Sequence, residues 1–302
     1  MSAHVQSSPR MRGPRVFLDM DQQELDHAYT QTNFAPNMPQ ILARYATNSE
    51  ATRARLGAPR RLAYGAAAVE QLDLYAASER HLPICVFAHG GAWRTGEAKN
   101  HAFPAEMFIG AGIHFAAIDF DNVISTGGDL MAVADQVRRA VAWVYTNAAM
   151  LGADPRHVYV CGHSSGAHLA AVVLTTDWPQ EFGLPANVVG GGMLISGMYD
   201  LEPVRLSARS EYVRFTDAVV EALSPQRHIR NLTCPVLVAH GTLESPEFQR
   251  QACDFAAAAE AMGKSAQLLV ADGYNHFEIL ETLANPYGIL GRAARKMMQT
   301  DR

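Results

Sequence analysis

The chain has 302 residues, 48% hydrophobic and 18% charged, a balance that excludes a disordered polypeptide and suits a globular protein with a large core. Its 25 basic and 30 acidic side chains form no basic run, which removes the electrostatic footprint for nucleic acid or an anionic membrane and leaves a small molecule as the expected partner. No stretch offers about 18 uninterrupted apolar residues, and the start of the chain lacks the apolar core of a secretory signal, so the protein is read as cytoplasmic.

Residues 1 to about 20 are polar and proline-bearing and read as a loose arm. MDQQELDHAYTQTNFAP and MPQILARYATNSEATRARL follow with helical patterning, so 1–60 is expected to form an arm and helices that pack on the core. From Leu62 onward short apolar runs alternate with helical patterns. VEQLDLYA, LPICVFAH, IHFAAIDF, HVYVCG, VVGGGMLIS, CPVLVAH and AQLLVADG read as strands, with helices near 98–111, 128–150, 166–176, 247–262 and 286–299. Such alternation predicts an α/β domain over 61–302, with a mostly parallel sheet, helices on both faces and its chemistry at the carboxyl ends of the strands. Residues 202–233 are too long for an ordinary connection and are expected to form a small cap. Cys85, Cys161, Cys234 and Cys253 lack C-x-x-C spacing and read as buried free thiols rather than a disulfide framework or a zinc site.

Chemistry concentrates in HVYVCGHSSGAH, where Gly162-His163-Ser164-Ser165-Gly166 stands between a strand and a helix. A sharp turn there lifts one hydroxyl clear of the backbone, which makes Ser164 the candidate nucleophile. A serine hydroxyl is a poor nucleophile at neutral pH, so it needs a histidine base, itself held by a carboxylate. With this elbow the chain order is nucleophile, acid, histidine. Glu244 and Glu247 both follow the CPVLVAH strand; Glu244 is favoured because it lies in the loop, whereas Glu247 follows Pro246 and suits the first turn of a helix. His276 follows the last strand and is the candidate base.

Upstream, His89-Gly90-Gly91-Ala92-Trp93 ends a strand, and its backbone amides can face a developing oxyanion. Gly91, Ala92 and Ser165 are assigned as amide donors, with His89 and Trp93 shaping the loop. His163 and His168 flank the elbow as packing residues or cleft walls. Asp119, Asp121 and Asp200 follow strands and can line the site or cap turns, and Asp272 reads as a turn residue.

Together HGGAW, GHSSGAHLA, SGMYDLEP, the SPEF run after Glu244, and GYNHF resemble the arylformamidase-like branch of the α/β-hydrolase family, over most of the chain. Kynurenine formamidases carry HGG-Tyr-Trp and Asp-Ser-Pro-Glu-Phe at the matching places, where this chain has Ala92 and Glu244. Loss of the tyrosine leaves room for an acyl group larger than formyl. With glutamate as the acid, the spacing is most similar to bacterial N-acylanthranilate amidases. The resemblance implies an α/β-hydrolase fold and a serine amidase or esterase without cofactor or metal. Its substrate would be an acylated aromatic amine with an ortho carboxylate, and aryl esters would be cleaved as well. Arg94, Lys99, Arg205 and Arg209 are open candidates for the carboxylate's cation, and Trp93, His163, Phe120, Tyr199, Tyr212 and Phe215 for the walls around ring and acyl chain. N-formylkynurenine hydrolysis, general carboxylesterase activity and a non-catalytic ligand-binding role are the alternatives. The expected partner is a small aromatic amide or ester, and a homodimer is compatible with the sequence.

Overall fold

The computed structural model describes residues 12–298. Eight strands form one sheet: β1 (Arg60–Ala63), β2 (Gln71–Tyr75), β3 (Leu82–Ala88), β4 (His114–Ile118), β5 (Ala153–His163), β6 (Gly191–Ile195), β7 (Val236–Gly241) and β8 (Ala266–Ala271). Their spatial order is β8-β7-β6-β5-β3-β4-β2-β1, parallel from β8 to β4, with β2 antiparallel to β4 and β1 antiparallel to β2. The seven expected strands all form. β1 was not expected, because RRLA is an exposed edge with a single large apolar residue.

Alternation along each buried strand builds two cores, one on each face of the sheet. Ile84, Val86 and Ala88 of β3 and Val158 and Val160 of β5 enter one core, whereas Cys85, Phe87, Tyr159 and Cys161 enter the other. The first core is covered by α3 (Leu130–Thr146), α4 (Ser165–Leu174) and α5 (Pro246–Ala261). On α3 the buried stripe Leu130, Val133, Ala134, Val137, Val141 and Val144 follows helical spacing. Each of its valines contributes about 1.5–3 kcal/mol by leaving water, so a charge at Val137 would separate helix from sheet.

Ahead of the sheet lie α1 (Gln22–Ala28) and α2 (Met38–Leu56), and α6 (Ile289–Met298) closes the described chain. Asp21 caps α1, accepting from the Glu24 amide while the Glu24 carboxylate accepts from the Asp21 amide, each at 3.0 Å. The loose-arm reading of residues 1–20 needs correction beyond residues 1–11, which lie outside the described part. Arg15–Phe17 and Met20–Asp21 pair as a short antiparallel ribbon, and the Arg250 guanidinium stands 5.3 Å above the Phe17 ring. The end of the expected 286–299 helix also lies outside the described residues. The thiols are corrected too: Cys85 and Cys161 are buried, but Cys234 is half-buried and Cys253 exposed. Among the described residues no helix is long and apolar enough to cross a membrane.

Candidate active site

β5 ends at His163, and the chain turns into α4 through Ser164, whose φ of 56° and ψ of −123° place it in the left-handed half of backbone space. Two glycines make that turn possible. A Cβ on Gly162 would stand 2.2 Å from the Gly166 carbonyl oxygen, and one on Gly166 would stand 2.1 Å from that of Ala88. Neither contact can be relieved without moving backbone. The strained elbow is thus held between β3, β5 and its own helix, and the Ser164 amide donates to the Ile195 carbonyl of β6 at 2.8 Å.

Ser164 Oγ lies 2.8 Å from His276 Nε2, and His276 Nδ1 lies 2.7 Å from Glu244 Oε2. The carboxylate can only accept, so Nδ1 carries the proton and Nε2 is free to take one from serine. Phe248 and Phe277 set ring edges against the His276 imidazole, each with centroids 5.0 Å apart. The other Glu244 oxygen accepts from Ser196 Oγ and the Gly241 amide, both at 2.6 Å. Both carboxylate oxygens are engaged, which fixes the carboxylate behind the imidazole.

Glu247 is equally buried but turns away. It accepts two hydrogen bonds of 2.7 Å from Arg250 and one of 2.9 Å from the Tyr29 hydroxyl. Its task is to tie α5 to the N-terminal segment.

Ala92 and Trp93 follow Gly91 with φ of 55° and 58°, two successive residues in the left-handed region that swing the loop across the serine. The amides of Gly91 and Ala92 donate to no backbone or side chain among the described residues, and the Ser165 amide is an orphan donor at the start of α4. Ser165 Oγ accepts from the Trp93 amide at 3.2 Å, which joins the two halves of this donor cluster. The arrangement can take up negative charge on an oxygen beside Ser164.

A cavity of about 670 Å³ opens over Ser164 and His276. Gly91, Ala92 and His163 line it, but Trp93, Phe120 and Tyr199 do not, which corrects their assignment as substrate walls. Trp93 turns inward, donating from Nε1 to His168 Nδ1 at 3.2 Å. Phe120 stacks on His89 at 4.4 Å, and Tyr199 stacks on Phe255 at 4.6 Å in the core. Phe215 packs against Trp93 and is also absent from the lining, whereas Tyr212 is present. The acids after strands are structural: Asp119 pairs with Arg61, Asp121 accepts from Gln136, Asp200 from the Glu202 amide and Asp272 from Thr242.

The N-terminal part of the wall went unforeseen. Tyr29, Met38, Leu42 and Tyr45 of the N-terminal segment line the cavity together with Ala208, Arg209 and Tyr212 of the 202–233 segment. Nothing local in or beside α1 and α2 marks them as site residues. Ser196 had a readable signal, as a hydroxyl directly beyond the carboxyl end of β6.

A kynurenine formamidase of Danio rerio is 30% identical over 92% of this chain and 97% of its own length. The chain belongs to the kynurenine formamidase family of α/β-hydrolases. The Salmo salar kynurenine formamidase is likewise 30% identical, over 93% of this chain and 97% of its own. A family model described as BD-FAE matches residues 72–187 of this formamidase-family chain, a span that holds the glycine loop and Ser164 but stops before Glu244 and His276. A solved structure described as a putative thioesterase from Silicibacter sp. TM1040 superposes on the formamidase-family fold with a TM-score of 0.76, at 25% identity, covering 89% of this chain and 98% of its own.

Proposed function

We propose that this member of the family cleaves the amide bond of N-acylated aromatic amines, with N-acylanthranilates as the substrate class, and also hydrolyses aryl esters. The observation that carries the reading is the open space at Ala92. That small side chain lines the cavity where kynurenine formamidases have tyrosine. Beyond it Met38, Leu42, Tyr45 and Phe277 offer an apolar wall for an acyl chain longer than formyl.

The proposed chemistry is acyl transfer. Ser164 Oγ attacks the acyl carbon as His276 Nε2 takes the serine proton, and the carbonyl oxygen becomes an oxyanion held by the amides of Gly91, Ala92 and Ser165. Collapse breaks the carbon–nitrogen bond, with His276 returning its proton to the departing arylamine. Water then attacks the acyl-serine, giving its proton to His276, and the carboxylic acid leaves as the serine hydroxyl is restored. Glu244 stabilises the imidazolium in both halves. An arylamine is less basic than an alkylamine and leaves more readily, which suits a triad of esterase type.

Hydrolysis of N-formylkynurenine is the second reading, favoured by the two relatives that are kynurenine formamidases. The deciding experiment measures kcat/KM on N-acetylanthranilate, N-octanoylanthranilate, N-formylkynurenine and a p-nitrophenyl ester, with Ser164→Ala as control. Preference for an N-acylanthranilate supports the first reading; preference for the formyl substrate replaces it with the second.

A further inference from the structure

Arg209 is the one buried cation in the cavity lining that has no carboxylate to neutralise it among the described residues. It is 8% exposed, and Nε has no hydrogen-bond partner among the described residues. Nη1 donates to the Tyr212 hydroxyl at 3.2 Å and Nη2 to the Tyr29 carbonyl oxygen at 3.0 Å, so neutral groups hold the fork in place without discharging it. The guanidinium carbon stands 5.6 Å from the Trp93 ring centroid, next to the loop that carries Ala92. The other candidate cations are accounted for differently. Arg205 pairs with Glu202 and Asp217, Lys99 pairs with Glu97, and Arg94 is exposed, lying 4.2 Å over the Tyr212 ring. Of the acids in the same lining, Asp26 accepts from Gln22 and from the Ala208 amide, and Glu211 is exposed.

Buried cations in proteins are paired, because removing a charge from water without compensation costs several kcal/mol. A guanidinium oriented by two neutral acceptors, with a donor edge unused, is preorganised for an anion that arrives with the ligand. We propose that Arg209 is the specificity residue that binds the carboxylate on the aromatic leaving group, and that this enzyme selects aryl substrates carrying such a carboxylate. The assignment rests on the serine-hydrolase reading of the site. It does not depend on whether the scissile bond is an amide or an ester.

The test uses two esters whose leaving groups differ only in the ortho carboxylate, 2-acetoxybenzoate and phenyl acetate. Arg209→Gln is expected to lower the ratio of their kcat/KM values on the order of 30-fold, as loss of a charge-assisted hydrogen bond does, and Arg209→Lys to restore only part of it. Equal losses on both esters, or an unchanged ratio, overturn the proposal. In wild-type enzyme, anthranilate should inhibit p-nitrophenyl acetate hydrolysis far better than methyl anthranilate; equal inhibition overturns it without any variant. If N-acylanthranilates are not cleaved while the ester ratio still falls, the substrate reading fails and the role of Arg209 stands.

Discussion

The Nε2 atom of His163 lies 2.7 Å from the main-chain carbonyl oxygen of His276, so the residue before the elbow serine grips the loop that bears the base. A carbonyl only accepts, so Nε2 is protonated and donates. Burial pushes the His163 pKa well below its ordinary value, which keeps the ring neutral, and its centroid is 4.9 Å from that of His276. Neutrality matters, since a cation there would oppose the imidazolium that the proposed acyl transfer creates at His276.

His163→Ala should therefore lower kcat on a p-nitrophenyl ester about 10- to 100-fold through lost positioning, with a smaller change in KM. Steady-state kinetics at neutral pH check it. A rise in KM with kcat intact would make His163 a substrate wall rather than a support for the base.

Glu244 and Glu247 differ in what each holds, and their amide variants should fail in different ways. Glu244→Gln removes the acceptor that fixes the His276 tautomer, and kcat is expected to fall about 10²- to 10⁴-fold with little loss of stability. Glu247→Gln leaves the half-buried Arg250 with Asp254 as its remaining carboxylate partner and should cost about 1–2 kcal/mol in urea unfolding, with most of kcat retained. A collapse of kcat in the second variant alone would move the acid role to Glu247.

The fold was legible wherever the pattern was local. Short apolar runs between helical patterns marked the buried strands, and α2 begins and ends where the MPQILARYATNSEATRARL pattern does. Ser164, Glu244 and His276 could be nominated because each follows a strand at the carboxyl edge of a parallel sheet. Of the tryptophan, tyrosine and phenylalanine side chains nominated as walls, only Tyr212 lines the cavity. Trp93 and Phe120 turn inward because His168 and His89 offer them partners that are distant in sequence, and Tyr29 reaches the cavity only because Glu247 and Gln251 hold its hydroxyl. Those choices are made by tertiary packing between segments about 30 to 220 residues apart, to which periodicity and motif spacing are blind.

Ala92 supplies a direct test of acyl-chain selection. Its φ of 55° is already left-handed, so Ala92→Tyr adds bulk without demanding a new backbone conformation. The variant should lose roughly 10-fold or more in kcat/KM on p-nitrophenyl octanoate relative to p-nitrophenyl acetate, the size of effect that a filled apolar pocket produces. An unchanged octanoate-to-acetate ratio would show that the acyl chain lies elsewhere in the cavity.

Stability should fall on mild acidification, and the buried histidines set the window. Burial lowers the pKa of His168 to about 4 and that of His101 to about 3, the latter helped by the neighbouring His89. His168 is fully buried as the neutral ring: Nδ1 accepts from Trp93 while Nε2 donates to the Leu223 carbonyl oxygen at 2.8 Å. The sign follows from proton counting. Below about pH 6.5 the unfolded chain protonates these rings and the native state does not, so unfolding takes up protons and stability declines as pH falls toward the folded pKa values. At pH 5 each of the two contributes a loss of about 2 kcal/mol, an order-of-magnitude figure from about 1.4 kcal/mol per pH unit. Carboxylates held low by arginine, such as Asp154 and Glu106, act in a lower window, below their unfolded pKa values near 4. Urea unfolding at pH 7.5 and pH 5.0 reads the histidine contribution, and His168→Gln should shrink the difference by about 2 kcal/mol. Equal unfolding free energies at the two pH values would mean that the rings are already charged in the native state, contrary to the hydrogen bond that Trp93 donates to His168.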